Sequence, residues 1–141
     1  MIAIDTNILV RALTDDEDSP EQTRQARALV NAARRVFVPQ VVQIEFVWVL
    51  EQAYELEKAD VLSALQVLRD DSTYQLQHES HFVEALERFR SGNAGFADAI
   101  IAVESKEEQL VLWTFDRKLG KQNGVQRLLE TSLADFTARP I

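Results

Sequence analysis

Ile2-Ala3-Ile4-Asp5-Thr6-Asn7-Ile8-Leu9-Val10 is the stretch whose reading decides the fold. Three apolar residues stop abruptly at an acid, the pattern of a short buried strand meeting a polar edge. Ile8, Leu9, Ala12 and Leu13 then recur at helical spacing, so a strand gives way to a helix through Asp5-Thr6-Asn7. The alternation repeats outward. Val36-Phe37-Val38 before Pro39 predicts a second strand, and Val41 to Leu56 a long helix that is apolar on almost every side. Further helices are expected from a Ser19 cap with Pro20 at the first turn and Gln22 completing a capping box, over Ala59 to Arg69, over Ser80 to Arg90, and after Phe96-Ala97-Asp98. Thr73-Tyr74-Gln75-Leu76 alternates like an edge strand, and Leu110-Val111-Leu112-Trp113 reads as a buried one. The stretch from Gly124 to Ile141 is weakly patterned, with a short strand expected near Val125. Strands separated by helices imply right-handed crossovers and a mostly parallel sheet, hence an α/β fold.

The chain has 141 residues, no Cys, and a net charge of −8 from 15 basic and 23 acidic side chains. That length predicts a single domain over residues 1–141. Without Cys there is no disulfide framework, thiolate zinc site or Cys nucleophile, which suits a cytoplasmic protein. No apolar run is long enough to span a membrane, and the residues after Met1 lack a basic, signal-like start. Acidic balance disfavours charge-driven binding to polyanions.

In open parallel sheets, ligands sit beyond the carboxyl ends of the strands. Asp5 and Asp116 each follow an apolar strand there, Asp98 opens a helix, and Glu45 lies early in the apolar helix after the second strand. All four are expected at one edge. Each alone reads as a helix cap or a first-turn acid favoured by the dipole. Glu45 among apolar neighbours is harder to explain that way and calls for a partner. Four acids together repel one another unless a cation neutralises them, and an oxygen-only donor set points to Mg2+ or Mn2+, as one or two ions. Such a centre suits in-line displacement at a phosphodiester. Thr6, Asn7 and Thr114 are placed to orient the acids, or simply to form turns. Arg11, Arg117, Lys118 and Lys121 are candidates to meet backbone phosphates, or form a solvated face. His78 and His81 lack a third ligand nearby and read as surface residues.

Ile4-Asp5-Thr6-Asn7-Ile8-Leu9-Val10, Glu45 within Ile44 to Leu50, Gly95-Phe96-Ala97-Asp98-Ala99-Ile100-Ile101-Ala102 and Thr114-Phe115-Asp116-Arg117-Lys118 resemble, in order, the motifs of the PIN-domain ribonucleases. The nearest resemblance is to the VapC-type toxins of bacterial toxin–antitoxin pairs. It implies a three-layer α/β/α sandwich around a mostly parallel sheet, RNA cleavage dependent on magnesium or manganese, a homodimer, and inhibition by a cognate antitoxin. It also implies Asp5, Glu45, Asp98 and Asp116 as the metal-binding acids. Three other readings share an acidic pocket. A receiver-like regulatory module would need paired acids after the first strand, where only Asp5 stands. A phosphatase of the haloacid dehalogenase type would need a second Asp where Asn7 stands. A non-catalytic PIN partner would keep the same four acids.

Overall fold

The computed structural model describes residues 1–139. The elements alternate as the pattern requires: β1 (Ile2–Ala3), α1 (Thr6–Leu13), α2 (Pro20–Ala33), β2 (Val36–Val38), α3 (Gln40–Gln52), α4 (Lys58–Asp70), β3 (Tyr74–Leu76), α5 (Glu79–Ser91), α6 (Phe96–Glu107), β4 (Leu112–Thr114), a short 3-10 turn (Leu119–Lys121), β5 (Val125–Arg127) and α7 (Glu130–Thr137). Every strand pairing is parallel, which confirms the α/β class. The chain forms two compact units, one from Met1 to Val83 and one beginning at Glu84.

In the first unit, β2 lies between β1 and β3, with Val36 opposite both Ile2 and Tyr74. Val36 and Val38 are fully buried, as a central parallel strand covered on both faces should be. Buried Gln43 of α3 ties off the strand ends, its amide nitrogen donating to the carbonyls of Val38 at 3.1 Å and Gln77 at 2.9 Å. Val42, Phe46, Val47 and Leu50 form the inward face of α3, and Val61, Leu65 and Leu68 that of α4.

The second unit holds a separate two-stranded pairing, Leu112 opposite Val125 and Thr114 opposite Arg127. Phe96, Ala99, Ile100, Ala102 and Val103 are the buried positions of α6. Ala102, Ala94 and Leu119 cluster, with Leu112 and Val125 packed against them.

Five expectations need correction. The α3 helix ends at Gln52 rather than Leu56; Phe46 is fully buried while Val41 and Trp48 stay 61% and 63% exposed, so the helix keeps an uncovered apolar side. Strand β4 begins at Leu112, because its register against Val125 leaves Leu110 and Val111 ahead of the pairing and in solvent. Ser19 makes no side-chain cap, and Gln22 is held by Arg11 instead of reaching back to complete a capping box. Asp15-Asp16-Glu17-Asp18 reads from the sequence as a solvated loop, but Asp16 within it is the partner of Arg11 and Tyr54. Finally, the weakly patterned end contains α7 as well as β5; Pro140 and Ile141 of that stretch lie outside the described residues.

Candidate metal centre

In the first unit, β1 ends just before Asp5, whose carboxylate caps α1 by accepting from the Ile8 backbone N–H at 3.1 Å. Asp5 remains exposed, so the cap uses one oxygen and leaves the other free to coordinate. The next residue, Thr6, donates its hydroxyl proton to Glu45 Oε1 at 3.0 Å. Glu45 thus gains its partner, although it lies in solvent rather than among apolar groups. It falls beside the buried Phe46 and Val47, on the rim of the inward face of α3.

In the second unit, Asp98 sits in the first turn of α6 and is half-buried. Burial pushes its carboxyl pKa up, the nearby negative charge of Asp116 raises it further, and a hydrogen bond from the Gly95 backbone offsets this only in part. Asp116 follows β4 and is held at both ends: its own N–H donates to Thr114 Oγ1 at 3.0 Å, and its Oδ1 accepts from the Leu119 N–H at 2.8 Å. Thr114 therefore positions Asp116 through the backbone rather than through the carboxylate.

Each unit brings two of the expected acids into relation, Asp5 with Glu45 by way of Thr6, and Asp98 with Asp116 by charge. No group of three His, Cys, Asp or Glu arranged to hold a metal ion occurs among the described residues. The donor chemistry nevertheless fits a hard divalent ion: the donors are carboxylate oxygens, and Asp98 ionises against burial and a like charge, a condition a cation relieves. His78 and His81 stack on one another with ring centres 5.4 Å apart, away from this chemistry in kind.

Among the basic residues, Arg117, Lys118 and Lys121 are exposed. Arg11 is committed differently: it pairs with Asp16 at 2.7 Å, donates to Gln22 at 3.1 Å, and also donates to the Tyr54 hydroxyl. Asn7 lines a cavity beside Asp5 together with Gln22 and Gln25. The sequence reads Gln22 only as a capping residue and gives Gln25 no role, although their spacing with Ala26 and Leu29 marks one face of α2.

The PIN domain family model matches residues 2–124, most of the chain and a range that contains positions 5, 45, 98 and 116. The chain is a PIN-domain protein. It is also 26% identical over 108 residues to a protein of Aquifex aeolicus (strain VF5) named VapC ribonuclease, an alignment that covers 76% of this chain and 80% of that relative. The parallel α/β pattern of this PIN protein is the one its motifs implied. No helix among the described residues is long and apolar enough to cross a membrane.

Proposed function

We propose that this PIN-domain protein is a divalent-metal-dependent endoribonuclease, the toxin of a toxin–antitoxin pair, acting in the cytoplasm as a homodimer until a cognate antitoxin binds it. The observation that carries the reading is the PIN family match over residues 2–124, a range that contains the four motif acids, with Glu45 held by Thr6 and Asp98 half-buried in the first turn of α6. The VapC name of its relative supports the RNA substrate and the antitoxin partner.

Asp5, Glu45, Asp98 and Asp116 would hold one or two Mg2+ or Mn2+ ions. A divalent ion supplies Lewis acidity there, easing loss of a proton from water and offsetting charge at the phosphodiester. Thr6 restrains the carboxylate of Glu45 through one oxygen, and the Ile8 N–H restrains that of Asp5 in the same way. Asp116 is immobilised by the Leu119 N–H, so its charge stays aimed where Asp98 feels it. Exposed Arg117, Lys118 and Lys121 offer cations to RNA phosphates, which an otherwise acidic chain needs locally.

The test is RNA cleavage by the purified chain with EDTA, then with excess Mg2+ or Mn2+. Cleavage that stops on chelation and returns with metal supports the proposal. Cleavage indifferent to chelation overturns it, and no cleavage under any metal favours a PIN domain that only binds.

A further inference from the structure

A cavity of about 300 Å3 opens between α1 and α2 beside Asp5, within the first unit. Its polar lining is Asp5, Asn7, Arg11, Gln22 and Gln25. Ile8, Ala26 and Leu29 supply an apolar wall. The volume sits at the lower end of small-ligand pockets, which run from about 300 to 1,000 Å3, and suits one planar ring system rather than a run of nucleotides.

Charge decides what belongs there. The cation of the lining, Arg11, is already neutralised by Asp16 at 2.7 Å, and Asp5 adds a negative charge. An anionic phosphate is therefore disfavoured, and a neutral ligand favoured. Arg11 Nε can only donate, so the Gln22 atom it meets at 3.1 Å is the oxygen, and the NH2 group of this lining residue is not used in that bond. Neither Asn7 nor Gln25 has a side-chain hydrogen bond among the described residues, and each amide can both donate and accept. Amides around an apolar wall match the edge and the face of an unpaired base, the part of RNA that proteins read most readily.

We propose that this α1–α2 pocket takes one unpaired nucleobase of the RNA strand, next to the phosphate served by Asp5, and that Gln22 and Gln25 read its edge while Arg11 positions Gln22. The proposal rests on the ribonuclease reading for its biological meaning, but its test does not require cleavage.

Full-length 15N-labelled chain in EDTA would be titrated with four trinucleotides, each of a single base, and with ribose 5-phosphate as a base-free probe. The side-chain amide signals of Gln22, Gln25 and Asn7 should shift with at least one trinucleotide and not with ribose 5-phosphate. Gln25→Ala and Gln22→Ala should weaken that binding, and in cleavage assays should relax base preference at one position beside the cut by about tenfold, the scale of one lost base contact. Equal shifts with ribose 5-phosphate, or no shift with any trinucleotide, would overturn the pocket. Base binding without metal-dependent cleavage would keep the pocket and remove the ribonuclease reading.

Discussion

Thr6 and Glu45 are joined by a hydroxyl-to-carboxylate hydrogen bond of 3.0 Å, linking the first turn of α1 to α3. The bond orients a carboxylate that solvent would otherwise leave free to rotate. Thr6→Val should reduce cleavage by about 10–100-fold and raise the metal concentration needed for half-maximal rate, the usual consequence of losing a group that orients a ligand. Because the bond is exposed, the change in folding stability should stay within about 1 kcal/mol. Thr6→Ser should restore both activity and metal requirement.

Asp98 gives a pH dependence of definite sign. Its folded carboxyl holds a proton to higher pH than the ordinary value of 3.8, so the folded chain binds more protons across that window. Stability of the metal-free protein therefore falls as pH rises through the window. Asp98→Asn, which cannot ionise, should be more stable than the parent at neutral pH without metal, and the difference should vanish once pH drops below the ordinary carboxylate range. Asp116→Asn should move the Asp98 titration downward. Urea unfolding over a pH series and carboxyl NMR check both.

The Arg11, Asp16 and Tyr54 network behaves oppositely. A hydrogen bond from Tyr54 at 2.7 Å, then the Asp18 N–H, then Arg11, hold the Asp16 carboxyl below its ordinary range. Its contribution to stability is present above the ordinary carboxylate value and is lost as pH falls through the depressed one. Tyr54→Phe should return the Asp16 titration toward the ordinary value and flatten the acid limb of the stability profile.

Residues of α3 separate by burial. Phe46→Ala, at a fully buried site, should destabilise the chain by about 3–5 kcal/mol. Trp48→Ala, at a site 63% exposed, should change stability by about 0.5 kcal/mol or less. If the proposed homodimer uses this face of α3, Trp48→Ala should shift the protein toward monomer in sedimentation, which Phe46→Ala at folding concentrations should not do selectively.

Legibility followed the range of the forces involved. The passage from Ile4 through Asp5 into α1 was readable because strand burial and helix capping act over a few neighbouring residues. The environment of Glu45 was misjudged: its apolar neighbours suggested burial, but a helix turns its side chains to different sides, and position 45 comes out in solvent with Thr6 as partner. Gln22 looked like a capping residue because a cap is local, whereas Arg11 reaches it from another helix. Tyr54 carried no signal at all, as its two partners lie on α1 and in the loop after it. Leu110 and Val111 have the composition of a core strand, and only the register against β5 shows that pairing starts later.

The most direct measurement is the single-turnover rate of RNA cleavage, with saturating Mn2+, for the parent, Asp5→Asn, Asp98→Asn and the double variant. Groups acting as one unit are strongly non-additive. The account expects each single substitution to bring cleavage to the background rate and the double variant to lie no lower. Parent-like cleavage in either single variant, or two partial losses that multiply in the double, would contradict it.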